Sequence, residues 1–98
     1  NTKKSKEVES DIAKDKIVFK VQISASSNNL ETKPSNFKGL KNITKEKVNK
    51  LYKYFYDETE SIDVAIDNLK KAKEKGFDTA YIVAYKNGKE IKLSEVIN

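Results

Sequence analysis

The chain has 98 residues and a net charge of +5, all 20 of its basic residues are Lys, and it contains no Cys and no His. This length fits one small domain, and the missing Cys and His exclude disulfides, thiolate chemistry and the usual zinc ligands. Lysine also lacks the planar fork with which Arg reads phosphates and guanine edges, so specific nucleic-acid recognition is disfavoured.

The N-terminal residues predict a linker rather than a folded element. Residues 1–16 mix Lys with acids and contain few aliphatic side chains, which favours a flexible tether, so we place the domain at 17–98. The chain begins at Asn1 and contains no Met, so we expect a piece of a longer polypeptide. Its apolar runs fall short of the roughly 20 residues that a membrane-spanning helix needs, and we expect no direct membrane insertion.

The first predicted strand covers residues 17–25, where apolar and polar side chains alternate. Period two with β-branched residues indicates a half-buried strand, with Phe19, Val21 and Ile23 facing the core. Residues 26–40 are rich in Ser, Asn and Gly and predict a long loop, which Phe37 and Leu40 anchor.

Further along, residues 41–47 predict a weak second strand and residues 51–56 a strong third strand, joined by a hairpin at Asn49. Residues 61–75 predict the main helix, with Ser61 as N-cap and Gly76 as terminator. Its predicted apolar stripe is Ile62, Ala65, Ile66, Leu69 and Ala72. Residues 79–86 predict a fourth strand, Asn87-Gly88 predicts a turn, residues 89–93 suit a short edge strand, and residues 94–97 a last helical turn.

These elements predict an α+β fold. We expect a four-stranded antiparallel sheet with one main helix on one face and an open opposite face, like the ferredoxin and RNP folds, with a short fifth edge strand as an extension.

The open face is the candidate binding surface, because an uncovered sheet face is normally polar and this one carries aromatic residues. The alternation assigns to it Lys20, Gln22, Ser24, Leu51, Lys53, Phe55, Tyr81, Val83 and Tyr85. In the other register of the third strand, Tyr52, Tyr54 and Tyr56 would be exposed instead. Aromatic rings beside amides and hydroxyls suit sugars, and they also suit stacked bases of single-stranded nucleic acid. Aromatic residues in strands are, however, often packing residues, or the long loop could cover them.

Three segments together resemble the SPOR (sporulation-related repeat) family. Phe19-Lys20-Val21-Gln22-Ile23-Ser24-Ala25 is similar to the family's opening strand, and Leu51-Tyr52-Lys53-Tyr54-Phe55-Tyr56 to its third strand. The stretch from Glu60 through Gly76-Phe77-Asp78 to Ala80-Tyr81-Ile82-Val83 is similar to its closing helix and strand. The whole also resembles a subgroup at the C-terminus of N-acetylmuramoyl-L-alanine amidases of Bacteroidetes-like bacteria.

The resemblance implies a non-catalytic, monomeric peptidoglycan-binding module in the periplasm or cell envelope, often at the division septum. It implies binding of glycan strands stripped of stem peptides on the open face. The family's glycan-facing positions fall on Gln22, Ala25, Leu51, Lys53 and Tyr81. Ala25 stands where Ser is common, and the alternation of the first strand turns Ala25 inward instead.

Three other functions have weaker support in the sequence. Nucleic-acid binding through the same face lacks Arg and the basic-Gly-aromatic signature of RNA-recognition domains. A protein-interaction module in the envelope could use the long loop and the edge strand near 89–93. Catalysis would rest on acids such as Asp63 and Asp67, which without His or Cys partners are typical of a solvated helix face. We therefore expect no enzyme activity, no metal and no cofactor in this chain.

Overall fold

The computed structural model describes residues 16–96. Five strands and one α-helix make up this part of the chain: β1 (Ile17–Ser26), β2 (Ile43–Val48), β3 (Leu51–Thr59), α1 (Ile62–Glu74), β4 (Tyr81–Lys86) and β5 (Lys89–Ile91). The predicted linker, except for Lys16, and Ile97 of the predicted last turn lie outside the described residues. The α+β class with an antiparallel sheet and one main helix is confirmed.

The sheet has five strands in the order β2-β3-β1-β4-β5, and every neighbouring pair is antiparallel. The fifth strand forms because Asn87 and Gly88 both adopt positive φ, which closes a tight turn and brings Lys89–Ile91 back onto β4. Asn49, also at positive φ, makes the equivalent turn between β2 and β3. Both hairpins lie where the sequence predicts them.

Helix α1 begins and ends where its local sequence predicts. The Ser61 side chain accepts a hydrogen bond from the Val64 N–H, and Gly76 takes φ 109° after the last turn. The Phe77 N–H then donates to the Ala72 carbonyl at 3.1 Å and the Gly76 N–H to the Lys73 carbonyl at 3.0 Å, which are the two bonds of a Schellman motif. These bonds define both ends of the helix.

The buried side of α1 differs from the predicted stripe. Ala65, Asn68 and Ala72 are the buried residues of the helix, whereas Ile66 is 41% exposed. Small residues at spacings of three and four let the helix lie close to the sheet, and Ile66 then falls on the solvent side. The assignment of Ile66 to the core was therefore wrong.

The long loop between β1 and β2 is held by Tyr54 of β3. The Tyr54 hydroxyl donates to the Asn28 carbonyl at 2.7 Å and accepts from the Leu30 N–H at 2.8 Å. Phe37 packs against the Tyr54 ring at a centroid distance of 5.1 Å, and Phe37 and Leu40 are both buried in the core between sheet and helix. The loop is thus anchored on the helix side of the sheet, and Phe37 and Leu40 are its apolar anchors, as predicted.

Candidate binding face of the sheet

The open face is the side of the sheet opposite α1. Register assigns to it Val18, Lys20, Gln22 and Ala25 of β1, Thr44 and Glu46 of β2, Leu51, Lys53 and Phe55 of β3, and Tyr81, Val83 and Tyr85 of β4. The opposite side carries Phe19, Val21, Ile23 and Tyr54, which pack with residues of α1 or of the long loop. The third strand therefore presents Leu51, Lys53 and Phe55 here rather than its tyrosines.

An irregularity in the pairing of β1 with β3 decides which side chains around Ser24 reach the open face. Between Gln22, opposite Phe55, and Ser24, opposite Tyr54, β1 contains one residue more than β3. A bulge of this kind shifts the alternation by one residue. Ser24 therefore pairs with Tyr54 of the helix side, and the assignment of Ser24 to the open face is corrected. Ala25 pairs with Lys53 of the open face, so the prediction that Ala25 points inward was wrong.

The floor of the open face is a small aromatic cluster. Phe55, Val83 and Tyr85 are each at most 6% exposed, and the two rings meet edge to face with centroids 6.0 Å apart. The Lys20 ammonium lies over both rings, 5.1 Å from the Phe55 centroid and 4.6 Å from that of Tyr85. Because these rings are already covered, they form the base of the surface and leave little area for a ligand to stack on.

Side chains meet across the open face, and the sheet curls to allow this. Tyr85 of β4 donates a hydrogen bond to Glu46 of β2 at 3.1 Å, although two strands separate them. Strands lie about 4.8 Å apart, so in a flat sheet these two backbones would be about 14 Å apart. Because the two side chains nevertheless meet, the open face is curved into a trough. Burial of Tyr85, and after it the hydrogen bond to Glu46, raises the pKa of Tyr85 above its ordinary value.

One end of the trough opens into a cleft of about 540 Å³. Its lining mixes both signs of charge, including Lys16, Lys20, Glu46 and Glu58. Lys20 lies 3.8 Å from Glu58, so part of this charge is compensated internally. The cleft therefore presents no strong field of one sign that would attract a polyanion.

The other end of the trough holds Gln22, a buried polar side chain. Gln22 is only 7% exposed, and within residues 16–96 its buried Oε1 accepts no hydrogen bond. Its partner on the neighbouring strand β4 is Tyr81, which is 51% exposed. Leu51 is also exposed and lies further along the face, four residues from Phe55, the β3 partner of Gln22. A buried amide oxygen without a donor is costly and calls for a partner, and the exposed Tyr81 ring beside it leaves that partner room to approach. Gln22 and Tyr81 therefore make this end of the trough the candidate binding surface.

Sequence reasoning missed the contribution of β2. Thr44 and Glu46 line the cleft, and Glu46 supplies the acceptor for Tyr85. Thr44 and Glu46 are two residues apart in the sequence, so they share one side of β2. Which side of the sheet this is follows only from the pairing of β2 with β3, which places them opposite Phe55 and Lys53. The Lys53 ammonium lies 3.8 Å from the carboxylate of Glu90 in β5, the strand at the other edge of the trough.

No protein-family model, curated protein or solved structure matches this chain. The similarity to SPOR domains therefore stays a prediction from the residues quoted above. Among residues 16–96 there is no cluster of three or more His, Cys, Asp or Glu side chains able to hold a metal ion. The same residues form no helix with the length and apolarity needed to cross a membrane.

Proposed function

We propose that this chain is a non-catalytic peptidoglycan-binding module. It binds glycan strands, preferentially those without stem peptides, on the open face, and it localises an attached cell-wall enzyme of the amidase type in the cell envelope. The observation that carries the proposal is the buried, unpartnered Oε1 of Gln22 beside the half-exposed Tyr81.

The chemistry of this end of the trough suits an amino sugar. A sugar ring offers an apolar C–H surface that packs on an aromatic ring or an aliphatic side chain, here Tyr81 and Leu51. Its hydroxyl and acetamido N–H groups are donors, and Gln22 offers an acceptor without a donor among the described residues. Tyr81 lies directly opposite Gln22 and is exposed, so its ring is the neighbour with room to move when a sugar approaches the amide.

Charge on the open face supports a neutral or weakly charged ligand over nucleic acid. Lys20 is within 3.8 Å of Glu58 and Lys53 is within 3.8 Å of Glu90, so each cation has an acid beside it. Nucleic-acid backbones require a continuous basic path and stackable rings. The buried Phe55 and Tyr85 do not offer such rings.

The test is cosedimentation with purified peptidoglycan sacculi, before and after an amidase removes the stem peptides. Wild type is compared with Gln22→Met, which keeps the side-chain length but removes the amide, and with Tyr81→Ala. We expect binding that increases after stripping and is lost in both variants.

The matched control is Ile66→Ala, which removes an exposed apolar side chain from the opposite side of the molecule. It should bind sacculi like wild type, and thermal unfolding should show that every variant is folded. Absence of sacculus binding, or binding by Gln22→Met and Tyr81→Ala equal to wild type, would refute recognition by the open face.

A second candidate is an envelope protein-interaction module. The observation that favours it is β2, a six-residue strand at the edge of the sheet with one side unpaired by any described strand. Such an edge can accept a strand from a partner. Partner capture that survives Gln22→Met and Tyr81→Ala but is lost when proline replaces a β2 residue would favour this function.

A further inference from the structure

A second charged surface lies on the opposite side of the sheet from the open face. The end of the long loop, the last turns of α1 and β3 enclose a hollow of about 340 Å³. Its lining is Gly39, Leu40, Lys41, Asn42, Tyr56, Lys71, Glu74 and Lys75. We call this surface the lysine hollow.

The lysine hollow is strongly basic. Lys41, Lys71 and Lys75 are exposed, and none of them has a carboxylate within 4.0 Å among residues 16–96. Glu74 is the single acid in its lining. Of the described lysines that do form ion pairs, Lys20 and Lys53 lie on the open face, and Lys33 pairs with Glu31 within the long loop.

The end of α1 accounts for only part of this cluster, because Lys71 lies in the last turn of the helix and Lys75 caps it, whereas Lys41 belongs to the loop. The C-terminus of a helix carries a partial negative charge that attracts cations. Lys38 also lies at this end of the helix, since its ammonium donates to the Gly76 carbonyl at 3.2 Å and lies 4.8 Å from the centre of the Phe77 ring. Lys41 reaches the hollow from the loop and Lys75 from the helix, so the cluster is built from two distant segments.

We propose that the lysine hollow binds a phosphodiester group of an anionic lipid or polymer. Ammonium groups bind phosphate oxygens as point charges, and Tyr56 and Asn42, whose side chains carry neutral donors, line the same hollow. Because the hollow contains no Arg fork, it recognises charge density rather than the geometry of one phosphate. The proposal is independent of glycan binding, since the two surfaces lie on opposite sides of the sheet.

The test uses the full chain and vesicles of phosphatidylcholine with or without phosphatidylglycerol. The site variant is Lys41→Gln with Lys71→Gln and Lys75→Gln. The matched control is Lys50→Gln with Lys86→Gln and Lys92→Gln, three exposed lysines elsewhere, so that both proteins lose the same charge.

Each lysine near an anionic surface contributes roughly a fivefold gain in binding, so the site variant should bind phosphatidylglycerol vesicles roughly a hundredfold more weakly than wild type. The control variant should lose far less of its binding to phosphatidylglycerol vesicles than the site variant. Equal losses in the two triple variants, or equal binding of wild type to neutral vesicles, would overturn the proposal.

A soluble poly(glycerol phosphate) competitor separates the two sources of the phosphodiester. Displacement of the chain from vesicles shows that a polymer fills the hollow, and failure to displace it identifies the lipid surface as the ligand. Both results support a phosphodiester site, provided that the site variant has lost binding and thermal unfolding shows that it is folded.

Discussion

Replacement of Gln22 by Met should separate stability from binding. Gln22 is 7% exposed, and its Oε1 is buried without a donor in the described part of the chain. An unsatisfied buried polar atom costs about 1–3 kcal/mol. Met has the same length without the polar atoms, so we expect the free energy of unfolding to rise by about 1 kcal/mol after allowance for imperfect packing.

The assay is thermal and urea unfolding followed by circular dichroism. For a domain of this size, a gain of 1 kcal/mol raises the melting temperature by about 4–8 °C. Gln22→Ala provides the comparison, because it also removes the amide but leaves a space where the side chain packed, and it should be less stable than Gln22→Met by about 2–5 kcal/mol. Both variants should lose binding to stripped sacculi.

A Gln22→Met protein that unfolds more easily than wild type by 1 kcal/mol or more, against the expected gain of similar size, would refute this reasoning. The amide would then have a stabilising partner, and the argument for a ligand at that position would fail. A stable Gln22→Met protein that still binds sacculi would instead show that the glycan uses other groups of the face.

Three further predictions concern the scaffold. Tyr54→Phe removes both hydrogen bonds to the long loop, so we expect a loss of about 1–3 kcal/mol in unfolding free energy and faster amide exchange at Leu30, measured by NMR. Ser61→Ala removes the N-cap of α1 and should cost about 1 kcal/mol in urea unfolding. The pKa of Tyr85 is higher in the folded state than in the unfolded state, so the neutral form of Tyr85 stabilises the fold. This stabilisation is complete below the unfolded-state pKa of about 10 and is lost as pH rises above that pKa. Tyr85→Phe should therefore show a shallower fall of melting temperature than wild type between pH 9 and pH 11, roughly one unit on either side of that value, whereas an unchanged slope would exclude Tyr85 as the cause.

Local signals predicted the features that depend on neighbouring residues in sequence. Ser61 and Gly76 set the ends of α1, and Asn49 and Asn87-Gly88 set the two hairpins, because capping and positive φ are properties of single residues. Two-residue periodicity likewise predicted the core side of β1 from Phe19 to Ile23.

The face assignments that failed depend on distant residues. A bulge near Ser24 is visible only when β1 and β3 are paired, and it reverses which of Ser24 and Ala25 shares a face with Lys53. The burial of Phe55 and Tyr85 arises from the curl of the whole sheet, which no single strand encodes. The unpaired oxygen of Gln22 could not be predicted either, because it depends on the side chains of β1 and of its two neighbouring strands.

The two proposed surfaces should differ in their response to salt. On the open face, Lys20 and Lys53 each lie beside a glutamate, and the groups assigned to the sugar, Gln22, Tyr81 and Leu51, are uncharged at neutral pH. In the lysine hollow, three ammonium groups with no carboxylate within 4.0 Å in the described part of the chain supply the attraction.

Raising salt from about 0.1 M to about 1 M shortens the screening length from about 10 Å to about 3 Å. We therefore expect binding to stripped sacculi to change little over this range, and binding to phosphatidylglycerol vesicles to be lost. If sacculus binding instead falls with salt in parallel with vesicle binding, and the Lys41/Lys71/Lys75 variant loses both, then one basic surface accounts for both activities. The uncharged end of the trough would then have no part in recognition.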